Sequence, residues 1–175
     1  MLQSKRITLR DYREDDWDAV HSYASDAEVV RYMPWGPNSD DETRAFIKLA
    51  QESSGAHPRV SFEQAVVLSH TDRPIGGMGL NRYDSQADLG YCFHPSFWGQ
   101  GFATEAAELI LAFGFDILNL HRVFACCDSA NTASARVLQK LGMRQEGHLI
   151  QDRRLRGKLR DTLLFAVLRE EWEQR

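Results

Sequence analysis

The sequence predicts one mixed α/β (α+β) domain, with helices flanking a mostly antiparallel central sheet of about seven strands. Three observations predict it. The chain has 175 residues, the length of one ordinary domain with a full hydrophobic core. Its composition, 43% hydrophobic and 26% charged, matches soluble globular proteins and excludes collagen-like, disordered and disulfide-scaffold classes. The apolar period also changes along the chain. Three strand-like runs in the middle give way to a strand–helix–strand–helix passage, where a crevice can form at strand ends.

Ile7, Leu9 and Asp11 alternate with polar neighbours as a first strand, and Asp15 precedes a helical stretch containing Trp17, Val20 and Tyr23. Ser25 with Glu28 predicts a capping box for a short turn of helix. Ser39 with Glu42 predicts a second box, opening a helix through Phe46, Leu49 and Ala50 that ends by Gly55 and Pro58. Residues 60–69 and 75–82 form a hairpin across His70-Thr71-Asp72-Arg73-Pro74, and Leu89–Phe93 is the next strand. No helix follows Gly76-Gly77-Met78-Gly79, so it marks a strand closely approached by another backbone or a ligand. Phe102, Ala106, Leu109, Ile110, Phe113 and Ile117 fall on one face of a long helix. Val123–Cys127 reads as a buried strand, and Asn131–Leu141 as a helix closed by Gly142. Residues 143–152 and 160–168 are two strands joined by a basic turn. No repeat or linker divides the chain, so 1–175 is expected to be one domain.

Lysine and arginine total 21 against 25 acidic residues, a net charge of −4, so no general nucleic-acid partner is expected. Cys92, Cys126 and Cys127 are odd in number. Two are adjacent, which in a strand sends them to opposite faces. Neither a disulfide framework nor a metal site is expected. The N-terminus has no apolar leader, and no run approaches the ~20 apolar residues of a membrane helix. The expectation is a cytoplasmic protein with no membrane partner.

The most informative segment runs from Phe93 to Ala106 (FHPSFWGQGFATEA). A strand ends, Pro95 breaks it, and a loop with Gly99 and Gly101 feeds an amphipathic helix. Glycines there permit positive φ and close approach. The helix start supplies unsatisfied N–H groups and the positive dipole end, a cradle for a diphosphate. A plain loop with a helix-starting glycine would carry the same residues. No third glycine completes a dinucleotide fingerprint, and no Gly-Lys-Ser/Thr makes a P-loop.

Trp98 to Ala106, preceded by Leu89-Gly90-Tyr91 and His94-Pro95, resembles the pyrophosphate loop of the GNAT superfamily of acyl-CoA N-acyltransferases. More narrowly it resembles the branch containing the ribosomal-protein alanine and serine N-acetyltransferases. Gly101 and Ala103 match the pattern Gln/Arg-x-x-Gly-x-Gly/Ala, with Trp98 in place of the first Gln/Arg. Ile7–Arg10, Glu14–Asp16, Asp26–Trp35, Asn131–Ser134, Lys140–Met143 and Asp161–Trp172 extend the match over nearly the whole chain.

The resemblance implies an acetyl-CoA-dependent N-acetyltransferase working by direct attack in a ternary complex, without metal. The acceptor would be a protein N-terminus or a small amine; homodimers are common in the family. Trp98 and the amides of Gly99, Gln100, Gly101, Phe102, Ala103 and Thr104 would hold the coenzyme. Splayed central strands would admit its pantetheine arm, with backbone contacts at Tyr91 and Phe93 and a side-chain contact from Asn131. Ser134 would protonate the departing thiolate. Asn131 and Ser134 read equally as a helix cap and an early-turn residue.

Asp88 is one candidate base, beside Asp161, Glu146, His94 and a water chain. Arg31, Met33 and Trp35, in the dense segment 30–35, are candidate acceptor-pocket residues, although the segment reads as well as a core plug. Cys126 and Cys127 read as core residues. Residues 153–160 carry five basic side chains and read first as a solvated hairpin tip. The alternative readings are a non-catalytic acyl-CoA-binding module, or a ribosome- or RNA-associated module acting through that turn.

Overall fold

A computed structural model describes all residues, 1–175. Eight strands form one open sheet: β1 (Leu2–Gln3), β2 (Ile7–Asp11), β3 (Ser61–Leu68), β4 (Pro74–Tyr83), β5 (Gln86–Phe93), β6 (Arg122–Asp128), β7 (Arg144–Leu155) and β8 (Lys158–Leu168). Their order is β1-β2-β3-β4-β5-β6-β8-β7. Every neighbouring pair is antiparallel except β5 and β6. The seven expected strands are all present. The eighth, β1, pairs only Leu2 with Leu9 and Gln3 with Thr8, too short to leave a periodic signal.

Helices α1 (Trp17–Ala24) and α2 (Asp40–Ser54) cover one face; α3 (Phe102–Ala112) and α4 (Thr132–Lys140) cover the other, and a short α5 (Arg169–Glu173) follows β8. Strand alternation divides the core between them. Ala65 and Val67 face Val20, Tyr23, Ile47 and Ala50. Val66, Met78, Leu80, Val123 and Ala125 pack with Ala106, Ile110, Leu111 and Leu138. The Ser39 box forms as expected: Ser39 Oγ accepts from Glu42 N (3.3 Å), and Ser39 N donates to Glu42 Oε2 (2.8 Å).

Four expectations are corrected. Ser25 caps no helix start; it ends α1, its hydroxyl donating to His21 O, and the following turn (Val29–Tyr32) has Asp26 Oδ1 accepting from Glu28 N. The α3 periodicity stops at Ala112, where a widened π turn, Phe113–Ile117, begins. The extra residue per turn seats Phe115 in the core and leaves Ile117 70% exposed. Cys126 is exposed; only Cys127 of the pair is buried, as alternation in β6 dictates, and all three cysteines are free. The basic turn is exposed at Arg154 and from Arg156 to Leu159, as a solvated tip requires, but it is shorter than expected. The strands run to Leu155 and from Lys158, and three of the five basic side chains bind inward: Arg153 and Arg160 to Asp128, Arg156 to backbone carbonyls of 31–36.

The feature that positions the site is the parallel pair. It holds for three residues, Gln86, Ala87 and Asp88 against Arg122, Val123 and Phe124. Beyond them β5 stays on β4 as far as Phe93, and β6 stays on β8 as far as Asp128. The two strands therefore diverge, and the expected splay is present.

Candidate active site

The loop between β5 and α3 is pinned by its own side chains. Trp98 Nε1 donates to Phe93 O (2.7 Å), and Gln100 Nε2 donates to Ser96 O (2.7 Å). His94 Nδ1 accepts from Ser96 N, so its ring closes the turn. Gly99 (φ +72°) and Gly101 (φ +84°) are left-handed, a conformation that strains any other residue. Gly101 is the N-cap of α3 and has no side chain to cap it. No backbone N–H from residue 99 to 104 has an acceptor in the protein. A Cβ on Gly99 would meet nothing within 4 Å, and one on Gly101 only Arg6 Nη2 at 3.6 Å. The loop thus presents six unsatisfied donors in open space at a positive helix end. Arg6, whose position has no sequence signature, stands beside it. Its guanidinium lies 4.4 Å over the Phe102 ring, donates to Gln100 O and pairs with Glu105.

The gap lies along β5, whose end at Phe93 leads into this loop. His94 N donates to Ile75 O, and His121 N donates to Ser85 O on the opposite side of β5. By strand parity, the backbone groups of Leu89, Tyr91 and Phe93 therefore face the gap, away from β4. Phe93 O is taken by Trp98; the remaining groups line a strand edge with no partner strand.

A cavity of about 100 Å³ occupies the gap, with Gly90, Tyr91, Cys126, Asn131 and Ser134 on its walls and Met33 closing it. Asn131 caps α4: its Oδ1 accepts from Ser134 N (3.1 Å). This brings Ser134 Oγ to 2.9 Å from Tyr91 Oη, which also donates to Ser134 O at 3.3 Å. Burial holds the Tyr91 phenol well above its usual range, so it is neutral and able to donate. The contact spans 43 residues and leaves no trace in the sequence. Cys127, beside Ser134, is pushed up to about 11 by burial, and Cys126 is also raised, first by burial and then by Asp88. Neither is a thiolate near neutral pH, which removes the activation a nucleophilic cysteine needs.

The carboxylates separate cleanly. Glu146 is paired with Arg122 and Arg144, and Asp161 accepts from Gln151 N and His148 Nε2. Asp88 has no hydrogen-bond or ion-pair partner, and burial raises its pKa. It lies on the even-numbered side of β5, facing away from α3, as Gly90 does. Glu63 is a second such group, absent from the sequence reading. Only Asn81 Nδ2 reaches it, at 3.5 Å, and burial raises it, with Asp88 adding repulsion. Its carboxylate lies 2.5 Å from where a Gly79 Cβ would be, which explains the glycine: the side chain folds flat onto β4.

Of the three acceptor-pocket candidates, Met33 lines the cavity together with Tyr32 and Pro34. Arg31 and Trp35 do not. The Arg31 guanidinium stacks at 5.2 Å on Tyr32, and Trp35 is 39% exposed. The carbonyls of both bind Arg156 instead.

No helix is long and apolar enough to cross a membrane. Residues 6–144 match the acetyltransferase (GNAT) domain family. The chain is 33% identical over 174 residues to the uncharacterized N-acetyltransferase YnaD of Bacillus subtilis, covering 98% of each. A crystal structure of a GNAT-family acetyltransferase from Bacillus anthracis superposes with a TM-score of 0.87 at 30% identity, covering 97% of this chain and 98% of that one. The spermidine N-acetyltransferase of Vibrio cholerae, solved with CoA and spermine, shares the fold with a TM-score of 0.83 at 22% identity, covering 97% and 99%. A loop of free amides at the end of a splayed strand is thus found in a chain that belongs to the GNAT acetyltransferase family, as an N-acetyltransferase.

Proposed function

We propose that this enzyme transfers the acetyl group of acetyl-CoA to a primary amine by direct attack in a ternary complex. The observation that carries the reading is that one strand joins the two features: β5 borders the gap holding the Tyr91–Ser134 pair and leads directly into the loop of six free amides. The donor fits these residues. The amides of 99–104 donate to a diphosphate, Arg6 braces the loop through Gln100 O and Glu105, and Trp98 fixes it to Phe93 O. The free edge at Leu89, Tyr91 and Phe93 suits an amide-bearing arm lying as an extra strand, with Asn131 opposite. A backbone N–H of that edge polarises the thioester carbonyl.

Asp88, unpaired and raised by burial, takes the proton of the incoming ammonium directly or through water. The amine nitrogen then bonds to the carbonyl carbon and the carbon–sulfur bond breaks. The nitrogen, positively charged after the attack, loses its remaining extra proton to water; Ser134 gives its proton to the sulfur and is reprotonated from water through the Tyr91 hydroxyl. Two unpaired carboxylates, Asp88 and Glu63, together with the spermine-bound relative, support a cationic small amine as the first acceptor to try; a protein N-terminus is the other. The inward commitment of Arg153, Arg156 and Arg160 weighs against an RNA-binding role for the basic turn.

The test is free-thiol release from acetyl-CoA, with mass detection of the acetylated product, using spermidine and an alanine-initiated peptide as acceptors. Turnover with at least one is expected. Ser134→Ala is expected to lower kcat about 10²-fold with acetyl-CoA affinity unchanged. Coenzyme binding without turnover on any amine would make the chain a non-catalytic acyl-CoA module.

A further inference from the structure

The β7–β8 hairpin closes on two residues, Arg156 (φ +46°) and Gly157 (φ +79°), between the paired Leu155 and Lys158. Positive φ at both positions defines a turn that favours Asn, Asp or Gly first. A long arginine is strained there. Its side chain supplies a reason. Arg156 Nη1 donates to Arg31 O (3.3 Å) and Met33 O (3.2 Å), and Nη2 donates to Trp35 O (3.1 Å) and Gly36 O (2.9 Å). One rigid fork thus gathers four carbonyls of a segment about 120 residues away, and no carboxylate pairs with it. Within that segment Tyr32, Met33 and Pro34 form one wall of the cavity, facing Cys126 and Gly90. The hairpin holds the wall at a second point, Arg160 lying 5.8 Å from the Tyr32 ring while it binds Asp128.

We propose that Arg156 is a positioning residue for the acceptor side of the site: its guanidinium fixes segment 31–36 as the wall against which the amine is presented to the thioester. The inference rests on the proposed function for the identity of that wall, but not for the staple itself. The strained turn follows from it. A residue better suited to the backbone would lack the five-donor fork that spans four carbonyls.

Arg156→Asn separates the two roles, because asparagine suits the left-handed turn and cannot reach the carbonyls. Amide exchange of residues 31–36 reads the wall directly. It is expected to accelerate about tenfold, the effect of one net hydrogen bond near the upper end of its usual worth, with the melting temperature within about 2 °C of the parent. Arg156→Lys, one ammonium for four carbonyls, should fall between. The KM of whichever acceptor the parent uses, spermidine or the peptide, should rise severalfold while acetyl-CoA affinity stays constant. Parental exchange rates in Arg156→Asn would overturn the staple. Faster exchange with an unchanged amine KM would overturn the positioning role and leave the coenzyme reading standing. Failure of the parent to bind acetyl-CoA would instead sink the proposed function without touching the exchange result.

Discussion

Two kinds of carboxylate face the interior of this protein. Asp16 and Asp128 are buried with arginines: Arg10 grips Asp16 through two 2.8 Å bonds, and Arg160 holds Asp128 at 2.7 and 2.8 Å. Asp88 and Glu63 have no such counter-charge, and burial raises both. A carboxylate that the fold leaves uncompensated costs stability when ionised, and its persistence suggests an external cation. A raised carboxyl binds more protons folded than unfolded, so stability falls as pH climbs from the ordinary carboxylate range through the raised value, and stays lower above it. Glu63→Gln should therefore raise the melting temperature by a few degrees at pH 7. The gain should vanish below the ordinary carboxylate pKa. A thermal scan with no gain at pH 7 would mean that Glu63 is compensated by a group other than substrate. At this scale the sequence was half legible. Asn131 and Ser134 announced themselves through a local motif, and the structure adds the cap that orients them. Tyr91 Oη, Glu63 and Arg6 reach the site through strand pairing and cross-sheet packing, for which no local pattern exists.

Elements place these residues. The β5–β6 pair opens because each strand keeps its other neighbour, and α4 starts where β6 ends, carrying Ser134 to the gap. Asp128 fastens that corner. Its fully buried side chain accepts from Arg160, Arg153 and Ala130 N. Burial alone would raise its pKa, but Arg160 and the Ala130 amide hold it low. Asp128→Ala leaves two arginines facing an empty pocket and should cost about 2–3 kcal/mol, or about 4–12 °C in melting temperature. A carboxyl lowered by folding stabilises above its unfolded pKa and loses that contribution as pH falls. The gap between parent and variant should accordingly narrow in acid. Equal melting temperatures at pH 7 would show that the clamp is dispensable. Helix periodicity made α3 readable as far as Ala112. The π turn beyond it changes the period by one residue, which a fixed 3.6-residue template misassigns at Ile117. The hairpin was legible as two strands with an exposed tip, but the bonds of Arg153, Arg156 and Arg160 were not, because charge counts carry no direction.

Across the whole molecule, the order of strands and helices was readable because each element satisfies its own period, and the loop of free amides because glycine, helix start and broken strand coincide in one short segment. Acceptor choice was not readable. The walls of the cavity come from residues 32–34, β5, β6 and the β7–β8 hairpin, which meet only in three dimensions. The central claim is that the amides of 99–104 receive the diphosphate of acetyl-CoA, and Thr104→Glu tests it most directly. Thr104 is the third helical position of α3, where a glutamate folds back onto the N-cap N–H, stabilises the helix start and occupies the donors itself. Titration calorimetry with acetyl-CoA should show an affinity loss of at least about 100-fold, or ~2.7 kcal/mol, in a protein melting no lower than its parent. Equal affinity for parent and variant would contradict the account.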